Sequence, residues 1–289
     1  MRRKKRADEA GKYHKTLREQ IRENRALAAV YIVLRALVVL VMVAQFFNGN
    51  FENVFLCVLT LVLFFIPSFI ERTVKIDVPD TLEVIILLFI FAAEILGEIR
   101  AYYIQYPYWD TMLHTLNGFL CAAVGFSLVL LLNNNRKLTF ELSPFFLALV
   151  AFCFSMTVGV LWEFFECFMD QTFLLDMQKD RIVSGLHTVM LDNTNSNVVV
   201  SIPDITDVIL VHSDGTQEAL GLGGYLDIGL LDTMKDLFVN FIGAVVFSTF
   251  GYFYAHSNGK KKVVSLFMPS KKEKDKDYLE LTRTGEEQG

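Results

Sequence analysis

The chain has 289 residues, 53% of them apolar, with 26 Phe and a mean hydropathy of +0.39. That composition excludes an ordinary soluble domain and fits an integral membrane protein of several spans. The net charge of −5 assigns no partner by itself, because placement of charge matters more than its sum.

The chain opens on MRRKKR. No short apolar run follows directly and no small-residue cleavage site appears, so a cleaved leader is not expected. Residues 1–25 read as a charged cytoplasmic segment. Six apolar runs then approach the roughly 20 residues that a bilayer core requires: Ala26–Phe47, Phe51–Ile70, Thr81–Gly97, Thr111–Leu132, Pro144–Phe168 and Leu231–Ala255. Each is expected to be helical, since hydrocarbon offers backbone amides no other partner. The fold class expected is therefore an all-α integral membrane protein, a six-helix transmembrane bundle over residues 26–256. Residues 257–289 read as a disordered cytoplasmic tail.

Lys and Arg set the orientation. Ten lie in residues 1–25, eight lie beyond His256, and Arg72, Lys75, Arg136 and Lys137 follow the second and fourth runs. The opposite side holds Arg100, Lys179 and Arg181. Both termini are thus expected in the cytoplasm. Tyr102, Tyr103, Tyr106, Tyr108 and Trp109 fall at the outer interface, where amphipathic aromatics belong. Cys57, Cys121, Cys153 and Cys167 all sit in apolar runs and read as packing residues rather than a disulfide framework.

Residues 171–230 form a long extracytoplasmic loop between the fifth and sixth runs. NVVVSI and DVILV are β-branched, and His212-Ser213-Asp214-Gly215 reads as a turn before TQEAL. A small β-hairpin is expected. A loop of this length is more often functional than a mere connector.

Polar residues recur in the apolar runs at helical spacing. Asp110, His114 and Asn117 stand at i, i+4, i+7, with Cys121 and Gly125 on the same face. Glu163, Glu166 and Asp170 stand at i, i+3, i+7. Asp232, Asp236 and Asn240 stand at i, i+4, i+8, and Glu94 and Glu98 lie one turn apart. At about 1.5 Å per residue, Asn117 and Glu163 lie on the order of 10 Å inside their helix ends. Lipid-facing carboxylates cost several kcal/mol each, so these stripes are expected to face one another or a wet cavity in the outer half of the bilayer. Plainer readings stand beside this one. Asp110, Asp170 and Asp232 sit at helix ends and fit hydrated caps, and Asn117 and Asn240 fit interhelical hydrogen-bond glue. Arg35, mid-span in the first run, needs a counter-charge, for which Glu83 or Glu94 are candidates.

The donor set suits a divalent cation: carboxylates favour Mg²⁺, Mn²⁺ or Ca²⁺, and an imidazole admits Zn²⁺. Candidate metal ligands are Asp110, His114, Glu163, Glu166, Asp232 and Asp236. In a catalytic reading Glu163 or Asp236 would be the general base or a ligand, His114 a ligand or proton carrier, and Asn117 and Asn240 orienting donors. HExxH, Walker A and GxSxG signatures are absent from the sequence. Three functions remain open: binding or processing of an envelope-associated, lipid-linked ligand; ion- or proton-coupled transport; and a non-catalytic scaffold. The lipid bilayer is the expected partner, and nucleic acid is not.

YWDTMLHTLNGF, VLWEFFE followed by Asp170, and LLDTMKDLFVNFIGA resemble signature segments of a poorly characterised bacterial inner-membrane family of the YjdF type. More distantly they are similar to VanZ-like membrane proteins, a group associated with glycopeptide resistance and the cell envelope. The resemblance covers about residues 105–250. It implies that Asp110, His114, Gly118, Trp162, Glu163, Glu166, Asp232, Asp236, Asn240 and Gly243 are the motif positions. It implies an envelope role and no particular reaction.

Overall fold

A computed structural model describes residues 25–69, 76–133, 142–257 and 270–271. The expected N-terminal charged segment, save Arg25, and nearly all of the expected disordered tail lie outside the described residues. The chain divides into two compact units. One holds the residues up to Ser155 and from Asn240 onward, and the other is Met156–Val239.

In the first unit, α1 is Arg25–Phe47 and α2 is Phe51–Leu63. Gly49, at φ +74°, lets the chain turn out of α1. Asn50 then caps α2, its side chain accepting from the Asn53 amide at 3.2 Å. After Phe64 the helix loosens at Pro67 and ends at Phe69. Strand β1, Ile76–Asp77, pairs antiparallel with β8, Ser270–Lys271. Helix α3, Asp80–Phe91, follows Pro79 and carries Asp80 and Glu83 in its first turn, where the helix dipole favours acids.

Helix α3 runs directly into a π-helical segment, Ala92–Ile99. The short helix α4, Tyr102–Gln105, leads to α5, Trp109–Asn133. Leu34, Val38, Cys57, Phe64, Leu87, Ile90 and Ile95 form one buried apolar cluster, and Val78, Leu82 and Leu120 a second. Arg35 lies 4.8 Å over the rings of both Tyr31 and Phe65. The Tyr31 hydroxyl donates to Glu83. Of the two candidate counter-charges, Glu83 therefore joins the Arg35 group through Tyr31.

Helix α6, Pro144–Phe173, and helix α7, Leu230–His256, carry the remaining long apolar runs. Among the described residues, five helices are long and apolar enough to cross a membrane: Arg25–Phe47, Phe51–Phe69, Trp109–Leu130, Pro144–Phe173 and Leu230–His256. The remaining run of the expected six is divided. Its α-helical part has 12 residues and its π-helical part 8, so neither alone has the length of a span.

The second unit is built around the long loop. Strand β2, Arg181–Val183, pairs antiparallel with β7, Tyr225–Asp227, and closes the base of the excursion. Within it, β3, Leu186–Thr188, pairs with β4, Val200–Ile202, and β5, Ile209–Val211, pairs with β6, Gln217–Ala219. The NVVVSI run thus pairs back to Leu186–Thr188, not to DVILV. At the β5–β6 turn the Gly215 amide donates to the His212 carbonyl, and the His212 amide donates to the Thr216 carbonyl, each at 2.9 Å.

Candidate polar site

Polar residues of the first unit are used at a close helix crossing. Asn117 on α5 donates from its amide to the side-chain oxygen of Asn240 on α7 at 3.1 Å, and Asn240 is 1% exposed. Cys121 Sγ donates to Asn117 Oδ1 at 3.4 Å. The approach requires two glycines, Gly118 directly after Asn117 and Gly243 three residues beyond Asn240. A Cβ at Gly118 would lie 2.0 Å from the Asn240 carbonyl oxygen, and one at Gly243 would lie 2.0 Å from that of Thr115. Backbone touches backbone here, as small residues permit. Ser155 on α6 adds a third helix, its hydroxyl donating to the Gly118 carbonyl at 2.8 Å. Asn117 and Asn240 therefore fit the interhelical role.

His114 and Asp110, one turn apart on α5, bring Nε2 and Oδ1 to 3.4 Å. Such an i, i+4 pair is a ready two-donor chelate. Glu94 and Glu98 lie in the π-helical segment. Glu94 is 3% exposed, and its Oε2 has no hydrogen-bond partner among the described residues. Beside it, Gly97 admits the Tyr103 ring, which would lie 2.3 Å from any Cβ there.

In the second unit the acids at the helix ends hold loop backbone. Asp170, near the end of α6, accepts the Met177 amide at 2.7 Å and the Gln178 amide at 2.9 Å, one on each oxygen. Asp232, in the first turn of α7, accepts the Lys179 amide at 3.1 Å and Arg181 Nη2 at 3.0 Å. Lys235 Nζ stands 3.6 Å from Asp232 and 3.3 Å from Asp236. Gln178 also donates to the Thr233 hydroxyl. These contacts fasten the start of the loop to both helices.

Two acids of this unit are deeper. Glu163 is 4% exposed and Asp236 2%. Glu166 accepts the Trp162 indole N–H at 2.7 Å. That bond joins the first and last residues of the W-E-x-x-E segment.

The family model described as "Predicted membrane protein (DUF2238)" matches residues 29–257. The chain belongs to the DUF2238 family of membrane proteins. The DUF2238 match spans every helix described above except the first four residues of α1, with the long loop inside it. No curated protein and no solved structure matches the chain.

Several residues that matter in this DUF2238 chain escaped the sequence reading. Ser155 is one, and it had a signal: Ala151, Ser155, Gly159 and Glu163 recur every fourth residue, and all four are buried. Lys179 and Arg181 were read only as topology markers, yet both bind Asp232. Asp176, Asp180 and Asp227 were also passed over. Burial, and then the neighbouring carboxylates of Asp176, Asp227 and Asp170, push the Asp180 carboxyl above its ordinary range. Apart from the acidic character of DMQKD, nothing in the string pointed to that grouping.

Proposed function

We propose that this membrane protein binds a divalent metal ion or an envelope-associated, lipid-linked ligand through the carboxylates of its W-E-x-x-E and D-T-x-x-D segments. Glu163 and Asp236 are the central groups. The observation that carries this reading is their burial, 4% and 2% exposed, in helices of membrane length. Ionised acids in such surroundings cost several kcal/mol unless cations compensate them. Lys235 stands 3.3 Å from Asp236 and also serves Asp232, so it is shared. Acids kept at this cost are functional candidates by default.

Glu166 is a further ligand candidate, and Asp110 with His114 supplies a chelating pair of the type that Zn²⁺ or Mn²⁺ accepts. If the site is catalytic, Glu163 or Asp236 acts as general base, and His114 carries a proton or binds the metal. The setting proposed is a bacterial inner membrane, crossed six times, with both termini cytoplasmic and residues 171–230 outside. The distribution of Lys and Arg supports that topology. The resemblance to YjdF-type and VanZ-like strings supports the envelope role.

A scaffold reading is favoured by a separate observation. Asp170, Asp232, Asn117 and Asn240 are all engaged in holding backbone or neighbouring helices. Elemental analysis after loading with Zn²⁺ or Mn²⁺ separates the two. The binding reading expects about one bound ion per chain in the native protein and loss of it in Glu163→Gln/Asp236→Asn. No bound ion in the well-folded native chain would remove the metal and leave the lipid-linked ligand and the scaffold.

A further inference from the structure

Arg181 and Lys235 both meet carboxylates. Arg35 of α1 does not. It is half-buried, with its guanidinium 4.8 Å over the rings of Tyr31 and Phe65. Ring faces attract the charge but give its N–H groups no lone pair. Its Nε has no hydrogen-bond partner among the described residues. Glu83 takes its bond from the Tyr31 hydroxyl, so that acid joins the frame and not the guanidinium. Among the described residues no carboxylate forms an ion pair with Arg35.

The ends of three helices fix the depth of this group. Helices α1, α2 and α3 pack together. Side chains lean toward the N-terminus of their helix, which carries Arg35 back over Tyr31 in the first turns of α1. Phe65 stands one turn before Phe69, where the second apolar span ends, and Glu83 lies in the first turn of α3. At about 1.5 Å per residue, Tyr31, Phe65 and Glu83 are all within about 10 Å of those ends. A long basic side chain reaches the level of lipid headgroups from such a depth. The flank beside it is open, with Ile32 62%, Phe65 58% and Phe69 66% exposed. In a bilayer acyl chains cover those side chains, and hydrocarbon supplies no counter-charge.

We infer that Arg35, framed by the Tyr31 and Phe65 rings, is a headgroup site for an anionic phospholipid. The phosphodiester oxygens accept from the guanidinium fork, and the acyl chains run along the exposed faces of α1 and α2. A headgroup of net negative charge supplies what the guanidinium lacks, whereas a zwitterionic one brings a cation of its own. In the topology proposed above this is the cytoplasmic leaflet, and Arg72 and Lys75 follow in the sequence. The site goes beyond the Glu163 and Asp236 reading and shares no residue with it.

Native mass spectrometry of the full chain in mild detergent tests it, with phosphatidylglycerol and phosphatidylcholine added in equal amounts. The result expected is retention of about one phosphatidylglycerol per chain under activation that strips phosphatidylcholine. Arg35→Gln is expected to lose that retention. Arg35→Lys keeps the charge without the planar fork and is expected to retain the lipid several-fold less, which serves if Arg35→Gln does not fold. Arg181→Ala, at the loop, is expected to bind as the native chain does. Equal retention of the two lipids overturns the inference, as does retention unchanged in both Arg35 variants or lost equally in Arg181→Ala. Displacement of the lipid by excess inorganic phosphate assigns the site to free anions and overturns the lipid.

Discussion

The two units employ their polar residues in opposite ways. At the α5–α7 crossing of the first unit, neutral groups do the joining. Two asparagine side chains bond each other, a serine bonds a backbone carbonyl, and two glycines let main chains touch. In the second unit, charged groups do it: Asp170 and Asp232 gather backbone amides and cations at the mouth of the loop. The difference follows from solvent. Neutral amides and hydroxyls are tolerated deep in an apolar helix pair, whereas carboxylates are held at helix ends where Arg181, 45% exposed in its side chain, can reach water. A motif residue's identity alone therefore does not reveal its use. Glu163 and Asp236, 4% and 2% exposed, are carboxylates buried nearly as deeply as Asn240 of the first unit.

The strongest test of this contrast is at the crossing. Gly118→Ala sets a methyl 2.0 Å from the Asn240 carbonyl oxygen, a backbone atom that cannot swing away. Overpacking of this kind is expected to cost about 3 kcal/mol or more, seen as a lowered midpoint for unfolding in detergent. Gly125→Ala is the control. Its methyl would lie 2.8 Å from Cβ, Cγ and Cδ1 of Phe154, side-chain atoms of a residue 36% exposed rather than a backbone carbonyl, so the loss is expected to be smaller. Equal losses at the two sites would mean that backbone contact is not what holds α5 to α7.

Next in size is Asp232→Ala. It strands the Lys179 amide and removes the Arg181 pair, and is expected to cost about 1–3 kcal/mol. Arg181→Ala removes an exposed partner and is expected to cost under about 1 kcal/mol. Hydrogen exchange at residues 177–181 is the sharper readout. It should accelerate in Asp232→Ala while the crossing at Asn240 stays protected. Acceleration at both places would erase the distinction between the units.

Much of the helical architecture was legible because membrane helices announce themselves by apolar length. Arg25–Phe47, Trp109–Asn133 and Leu230–His256 lie within two residues of the runs read from the string. The change at Ala92 was not legible: AAEILGEIR has ordinary helix formers, and a π turn is set by packing that composition does not encode. At the candidate site, helical spacing correctly placed Asn117 beside Cys121 and His114 beside Asp110. It also placed Asp170 and Asp232 at helix ends, where they lie. It gave no hint that their partners would be Met177, Gln178, Lys179 and Arg181, because those bonds depend on how a loop returns. Nor did spacing separate Glu94, whose Oε2 has no hydrogen-bond partner among the described residues, from Glu98 one turn away.

The smallest effect expected lies in the loop itself, where two acids should titrate in opposite directions. Asp192 accepts from the Thr194 hydroxyl and from the Val198, Thr194 and Ser196 amides. These bonds favour the charged form and draw its pKa down to about 2. An unfolded aspartate titrates near 3.9. The contribution of Asp192 is therefore complete above about pH 3.9 and is lost as pH falls through about 2. Asp180 has the opposite sign, raised by burial and then by Asp176, Asp227 and Asp170. Its neutral form is the one that the folded loop prefers, so it weakens the loop as pH rises through its unfolded value. Carboxyl chemical shifts of the labelled chain should show Asp192 titrating well below 3.9 and Asp180 above it. If both titrate near 3.9, the Asp192 turn and the acidic grouping at the loop base do not persist in solution, and the charged fastening of the second unit reduces to Asp170 and Asp232.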